Sequence, residues 1–274
     1  MGIHINPTVS EKIAKIKKGG PQELFFVSDF DRTMTKAKFH GEEVVSGLSI
    51  FHHGNYLHDP YANQAQELWD YYYPKESNIH LSEDERFTLM KEWYDKHVAL
   101  FVQYKLSKDI ISQAAQSHQI KLRDGTDVLL NRCSELDIPF IVFSAGSGDV
   151  IKELFDMEKL LHTQVSICSN YFSFTPEGVV NGFSSEIIHS YNKNKIDIHT
   201  HGVSESVKEK PHLVLMGDSL KDPTMGEHFH PETILKVGFC HNVDLLAQYR
   251  RLYDVVLTGD GSFEPVLDLL GLAS

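Results

Sequence analysis

Three short runs along the chain are apolar at nearly every position and stop on small or acidic residues. They are Leu24-Phe25-Phe26-Val27 before Ser28-Asp29, Pro139-Phe140-Ile141-Val142-Phe143 before Ser144-Ala145-Gly146, and Leu213-Val214-Leu215-Met216 before Gly217-Asp218. A strand covered on both faces of a parallel sheet reads this way, because neither side of it meets water. Residues 234–239 and 254–257 predict two further short strands, and helical patterns occupy 127–136, 149–160, 243–249 and 263–270. Alternating strands and helices predict an α/β fold: a Rossmann-like parallel-sheet core with helices on both faces.

Residues 46–117 have a different texture. They hold no buried-strand run and carry long amphipathic patterns instead. Ser82-Glu83-Asp84-Glu85 has the form of a capping box, and Phe87, Met90, Trp93/Tyr94, His97/Val98 and Phe101 follow at spacings of three and four. Residues 61–73 and 107–118 predict two more helices. A helical-bundle cap inserted after the first strand is the expected arrangement, with the core at 1–45 and 119–274 and the cap at 46–118. Residues 171–174, a Thr175-Pro176-Glu177-Gly178 turn and residues 179–183 predict a hairpin carried on the core.

Composition narrows the function classes. The 274 residues include 38 acidic and 26 basic side chains, a formal net charge of −12, which argues against binding polymeric nucleic acid. No apolar run reaches the length of a membrane span, and residues 1–20 lack the apolar segment of a secretory signal, so no membrane partner is expected. Gly2 follows Met1, but Asn6 stands where a myristoylation signal wants Ser or Thr. The three cysteines (Cys133, Cys168, Cys240) form neither a metal pair nor a disulfide framework, and a reducing cytoplasm is the expected location. Sixteen histidines are scattered without zinc spacing.

In open parallel sheets ligands gather beyond the carboxyl ends of the strands, so the residues that end the three runs are candidates for chemistry. In Asp29-Phe30-Asp31-Arg32-Thr33, residues two apart project to the same side and both carboxylates enter one site. One can attack phosphorus and form an aspartyl-phosphate; the other can protonate the leaving oxygen and later activate water. Two close carboxylates call for a cation between them, and Mg²⁺ prefers oxygen ligands. Taken alone, the pair also reads as a strand-end turn whose acids cap a helix. Gly217-Asp218-Ser219-Leu220-Lys221-Asp222 adds Asp218, with Asp222 one helical turn later as a direct ligand, a ligand through water, or a partner that orients Lys221. Ser144-Ala145-Gly146-Ser147-Gly148 offers a hydroxyl and backbone N–H groups to phosphate oxygens. Lys193, in Tyr191-Asn192-Lys193-Asn194, is the cation to set opposite the metal.

The order Asp-x-Asp-x-Thr, strand-end Ser, Lys, then Gly-Asp-x-x-x-Asp resembles the haloacid-dehalogenase-like phosphohydrolases. With Asp29-Phe30-Asp31-Arg32-Thr33-Met34-Thr35, Glu92-Trp93-Tyr94, Phe143 to Asp149 and Tyr191-Asn192-Lys193, the chain resembles the cytosolic pyrimidine 5′-nucleotidase (type III) family over nearly its whole length. The resemblance implies Asp29 as nucleophile and Mg²⁺ ligand, Asp31 as proton donor and ligand through its carbonyl, and Asp218 as third ligand. It implies Ser144, Ala145 and Lys193 as phosphate holders, Glu76 as the cap glutamate that grips the nucleobase, and Tyr94 as the stacking aromatic. Two positions depart from the family's pattern. Ala37 stands for a Phe, with Phe39 nearby as a substitute, and His97 stands for a small Ser beside the substrate. Relatives that favour 7-methylguanosine monophosphate carry Trp at the position of Tyr94, which leans this chain toward pyrimidines. The expected activity is a Mg²⁺-dependent 5′-nucleotidase acting on nucleoside monophosphates, CMP and UMP first and 7-methyl-GMP after them, as a monomer or weak oligomer. A small-metabolite phosphatase such as a phosphoserine phosphatase shares the core motifs, and a non-catalytic binding protein on the same fold is the third reading.

Overall fold

The computed structural model describes residues 2–45, 47–76, 78, 80–203 and 205–273. In chain order the strands are β1 (Ile3–Ile5), β2 (Leu24–Ser28), β3 (Lys38–Phe39), β4 (Glu42–Glu43), β5 (Phe140–Ser147), β6 (Val165–Asn170), β7 (Phe172–Phe174), β8 (Val180–Phe183), β9 (His212–Gly217), β10 (Thr233–Cys240) and β11 (Val255–Thr258). The helices are α1 (Val9–Gly19), α2 (Ile50–His53), α3 (His58–Glu76), α4 (Glu83–Gln103), α5 (Lys108–Gln116), α6 (Thr126–Glu135), α7 (Gly148–Met157), α8 (Leu246–Leu252) and α9 (Glu264–Leu270).

Seven strands form one sheet in the order β1-β11-β10-β9-β2-β5-β6. All neighbours run parallel except β1, which pairs antiparallel with β11 at the edge. The three apolar runs are therefore adjacent: β2 lies between β9 and β5. Their tips form one rim, which is what brings residues more than a hundred positions apart into a single site. The chain leaves β2 toward β5 on one side and reaches β9 on the other, the kind of crevice where doubly wound sheets bind ligands.

Alternation along the central strands divides the core in two. Phe26, Val214, Met216, Phe140 and Val142 face one side, where Val9 and Ile16 of α1, Leu129 and Leu130 of α6, Ile151 and Leu154 of α7 and Val266 and Leu270 of α9 cover them. Phe25, Val27, Ile141, Phe143, Leu213 and Leu215 face the other. Burying each such side chain contributes about 1.5–3 kcal/mol. Helices were expected on both faces: on the second, Tyr249 of α8 covers Cys240 and Val256 of β10 and β11, while the central strands are covered by Ile188, Ile196, Ile198, Val203 and Val207 on loops and short 3₁₀ turns, together with Met225 and Phe229. These loop residues lack helical spacing, and Gly202 sits at a left-handed φ of +82°. Residues 243–245 also make a 3₁₀ turn and α8 starts later than the pattern predicts, since Val243 is 70 % exposed and has nothing to pack on.

Helices α2 to α5 follow β4, so the insert comes after β2, the strand formed by the first apolar run, as expected; the short edge strand β1 precedes it. The boundary expected at Ser46 lies outside the described residues, as do Met1 and Ser274 at the ends of the expected core. The capping box at the start of α4 forms as its sequence predicts, with Ser82 Oγ accepting from Glu85 N at 3.2 Å and Glu85 Oε2 accepting from Ser82 N at 2.8 Å. The predicted hairpin is β7–β8, closed by Gly178 N donating to Thr175 O at 2.9 Å. It leaves the core strand β6 but packs on the helical insert: Val180 N donates to Leu106 O, and Phe172 meets Phe51 and Phe101 edge-on.

Candidate active site

Asp29 and Asp31 flank Phe30, and the alternation of extended backbone separates them from it. Phe30 is wholly buried against Phe155, whereas both aspartates line a cavity of about 600 Å³ between the sheet rim and the helices of the insert. After Asp31 the chain turns tightly. The amides of Thr33, Met34 and Thr35 all donate to Phe30 O, Arg32 takes a left-handed φ of +59°, and Thr33 Oγ1 donates to Asp29 Oδ2 at 3.3 Å. Arg123, only 1 % exposed, holds this turn from below. Its guanidinium donates to Thr33 O, to Arg32 O at 2.6 Å and to Gly261 O at 2.8 Å, and lies 4.2 Å over the Phe239 ring.

The β5 tip supplies the opposite wall. Its ladder with β6 is interrupted between Phe143 and Ser147, which frees Ser144-Ala145-Gly146 from strand pairing. Ala145 and Gly146 line the cavity. Ser144 does not: it is 1 % exposed, and its hydroxyl accepts from Gly146 N at 3.0 Å, so it shapes the loop from behind. Gly47 closes over the same point. Its N–H donates to Asp31 Oδ1 at 2.8 Å, and a Cβ there would sit 2.8 Å from Asp31 Oδ2 and 3.1 Å from Gly146 Cα.

Lys193 reaches in from the 3₁₀ side, buried, with Nζ 2.5 Å from Asp29 Oδ1 and 3.3 Å from Asp222 Oδ1. His228 Nε2 meets the Lys193 carbonyl and fixes its backbone. Asp222 is fully engaged: besides Lys193, it accepts from the N–H groups of Asp218 and Ser219 at 3.0 and 2.8 Å. It does not orient Lys221, which instead pairs with Glu83 at the start of α4. Asp29, Asp218 and Asp222 present oxygens that all lie within 4.8 Å of one another, the one metal-capable group of three or more acidic, His or Cys side chains among the described residues. Burial raises the Asp29 carboxyl to about 7, against the pull of Lys193, and raises Asp31 as well. Burial, then repulsion from Asp29 and Asp222, pushes Asp218 well up. Crowded, buried, hard oxygen donors of this kind fit a divalent cation.

Helices α3 and α4 form the roof. Glu76, the last residue of α3, lines the cavity; burial raises its carboxyl, offset by Ser190, Arg32 and Lys193. Tyr191 Oη donates to Glu76 O, and Tyr94 Oη donates to Ala145 O at 2.9 Å, so insert and core are joined across the cavity. His97 also lines it and is bonded to Tyr61 Oη at 3.2 Å. Phe39, expected to replace a Phe near the substrate, lies elsewhere: it is exposed on β3, between the ammonium groups of Lys36 and Lys121. Sequence reasoning missed Arg123, Gly47 and the wall of Trp69, Tyr73, Arg86 and Trp93. The spacing of the aromatics was visible, but a stripe facing a cavity and a stripe facing a core look the same.

The model of the family described as Pyrimidine 5'-nucleotidase (UMPH-1) matches residues 32–272. The chain belongs to this pyrimidine 5′-nucleotidase family. Its members are 5′-nucleotidases, hence phosphoric monoester hydrolases, and this chain is one of them. The 7-methylguanosine phosphate-specific 5′-nucleotidase B of Xenopus laevis is 32% identical over 265 residues, covering 96% of this chain and 91% of that protein. The 7-methylguanosine phosphate-specific 5′-nucleotidase of Homo sapiens is 31% identical over 265 residues, covering 96% of this chain and 88% of that protein. The crystal structure of cytosolic 5′-nucleotidase IIIB bound to cytidine superposes with a TM-score of 0.90 at 29% identity, covering 98% of this chain and 93% of that one. A substrate-bound phosphoserine phosphatase matches at a TM-score of 0.54 and 16% identity, covering 90% and 97%; that likeness is one of fold. This nucleotidase thus has the haloacid-dehalogenase-type core with helices inserted above the strand tips.

Proposed function

We propose that the protein is a Mg²⁺-dependent nucleotidase that releases phosphate from nucleoside 5′-monophosphates through an aspartyl-phosphate on Asp29. The observation that carries this reading is the rim itself: two carboxylates on one strand tip, a buried lysine 2.5 Å from one of them, and a third aspartate on the neighbouring strand. Asp29 attacks phosphorus as the nucleophile. Asp31, aimed by Gly47 N–H, protonates the leaving 5′-oxygen and then takes a proton from the attacking water. Asp29, the Asp31 carbonyl and Asp218 would hold Mg²⁺, which supplies charge stabilisation to the phosphoryl oxygens. Lys193 and the amides of the Ala145 loop hold those oxygens from the other side, with Ser144 supporting the loop. Asp222 holds Lys193 and the Asp218 turn in place.

Residues 46–118 act as the cap, excluding water and presenting Glu76 and Tyr94 to the base. CMP and UMP are the first substrates, given Tyr94 at the stacking position and the family's description. A second substrate, 7-methyl-GMP, is favoured by one observation besides the names of the relatives. Trp69 stacks on Tyr73 at 4.3 Å and both line the same cavity as Glu76, and aromatic rings with a carboxylate suit a cationic base. A nucleotide-monophosphate role in the cytoplasm accords with the description of the relatives as cytosolic, and no helix among the described residues is long and apolar enough to cross a membrane.

Phosphate release measured across nucleoside monophosphates and phosphoserine, with Mg²⁺ and with EDTA, tests the reading. Turnover of nucleotides that needs the metal is expected, with Glu76→Gln and Tyr94→Ala losing it through KM. Turnover of phosphoserine alone, or turnover that ignores EDTA, contradicts it.

A further inference from the structure

The tip of β5 bulges out of its ladder. Phe143 pairs with Cys168 and Ser147 with Asn170, so four steps on β5 are matched by two on β6, and residues 144–146 lie in the irregularity. Bulges recur beside active sites, where they re-aim a segment, and the buried backbone groups they free need other partners. Here side chains of β6 supply them. Ser169 Oγ donates to Gly146 O at 3.0 Å, and Asn170 Nδ2 donates to Ala145 O at 2.9 Å.

Asn170, the last residue of β6, reaches further. It is 1 % exposed, and its carboxamide also pairs with both backbone groups of Ile188: Nδ2 donates to Ile188 O at 2.8 Å, and Oδ1 accepts from Ile188 N at 2.7 Å. Ile188 lies on the loop that carries Lys193. Buried Asn192 continues the brace there, its Oδ1 accepting from His189 N and its Nδ2 donating to Ile187 O, both at 2.7 Å. A single side chain therefore joins the 144–146 segment to the Lys193 loop. Its three bonds use two N–H donors and one acceptor, the set that a carboxamide carries. The Tyr94 hydroxyl donates to the same Ala145 carbonyl at 2.9 Å, so the roof meets this joint at one oxygen.

We propose that Asn170 is a positioning residue for phosphoryl transfer, fixing the spacing between the Ala145 loop and Lys193. This rests on the nucleotidase reading, in which both hold phosphoryl oxygens. Preorganised contacts favour the transition state only while that spacing is kept, and a misplacement of about 1 Å costs about 10² in rate.

The test compares wild type, Asn170→Ala and Asn170→Ser on whichever of CMP, UMP and 7-methyl-GMP turns over fastest. Inhibition is measured with inorganic phosphate and with orthovanadate, which can take the five-coordinate geometry of the transferring group. In N170A, kcat per folded enzyme falls about tenfold or more with KM within about twofold, and vanadate inhibition weakens more than phosphate inhibition. N170S, whose hydroxyl restores one donor, recovers part of both. Less folded enzyme with a wild-type kcat and a wild-type ratio of the two inhibition constants marks a structural role and overturns the proposal, as does a change in KM alone. Should N170A fail to fold, N170S decides on the same readings: a lowered kcat with a shifted ratio supports the proposal, and wild-type values overturn it. Lys193→Met, run alongside, separates two failures. If it lowers kcat and the Asn170 variants do not, this proposal alone falls. If it leaves kcat unchanged, the phosphate-holding part of the nucleotidase reading falls, and this proposal with it.

Discussion

Lys193 and Asp29 form a buried ion pair, Nζ to Oδ1 at 2.5 Å, with Asp222 on the lysine's other side at 3.3 Å. The residues come from a loop and from a strand tip 164 positions apart. Attraction to Asp29 and then Asp222 outweighs burial and raises the lysine's affinity for its proton, so the cation is permanent at any working pH. Lys193→Met removes the charge opposite the metal. We expect kcat to fall about 10²–10³-fold, the scale of losing one preorganised charge contact to the transferring group. The fold should survive, because Asp29 can take up a proton once its partner is gone. Steady-state phosphate release beside a melting curve checks both expectations.

Gly47→Ala addresses the aim of Asp31 without touching its chemistry. Gly47 has φ +32°, and an added Cβ would meet Asp31 Oδ2 at 2.8 Å. The carboxyl must move, and displacement of a catalytic group by about 1 Å costs about 10² in rate. We expect kcat to drop by that order with KM little changed; an unchanged kcat would show that Asp31 has freedom to spare.

Acid should destabilise the protein through its buried histidines. His97 and His189, 7 % and 1 % exposed, are pushed down from their ordinary value to about 3 and about 4, first by burial and then by the His52 imidazole for His97 and by Lys195 and Lys91 for His189. Between pH 6.5 and those values the unfolded chain binds protons that the native state does not. Stability is therefore full above pH 6.5 and falls as the pH drops, by at most about 1.4 kcal/mol per pH unit for each histidine. Denaturant midpoints from pH 7 to pH 4.5 measure the slope, which His97→Leu should flatten.

Arg123 holds the nucleophile's turn in shape. Its substitution by Leu leaves the carbonyls of Arg32, Thr33 and Gly261 short of a buried donor. The expected cost is about 3 kcal/mol or more, at roughly 1–3 kcal/mol for a stranded polar group. Arg123→Lys, which keeps the charge but not the fork, should recover only part of the melting temperature.

How much of this was legible from residue order depends on what each segment packs against. Strands β2, β5 and β9 were readable because both their faces are covered, so their apolar runs are uninterrupted and end abruptly on Ser28, Ser144 and Gly217. Strand β6 (Val-Ser-Ile-Cys-Ser-Asn) was not, because an edge strand mixes polar and apolar residues without a clean period. The short β1 also escaped notice: Ile3 and Ile5 are about half exposed. Asp29, Asp31, Lys193 and Asp218 stood out through the spacing of their motifs. Arg123 did not, since nothing in a lone arginine tells which backbone carbonyls it meets once folded. Asp222 shows a finer limit: its place one turn after Asp218 was visible, but its choice of Lys193 over Lys221 arises only from the meeting of two distant loops.

Covalent labelling of Asp29 tests the central claim most directly. Enzyme mixed with Mg²⁺ and a nucleoside monophosphate carrying radiolabelled phosphate, quenched in acid within a single turnover, should yield label on the peptide that contains Asp29. Asp29→Asn should carry none and release phosphate at least about 10³-fold more slowly. Label on another residue, or release by Asp29→Asn at the wild-type rate, would contradict the assignment of Asp29 as nucleophile.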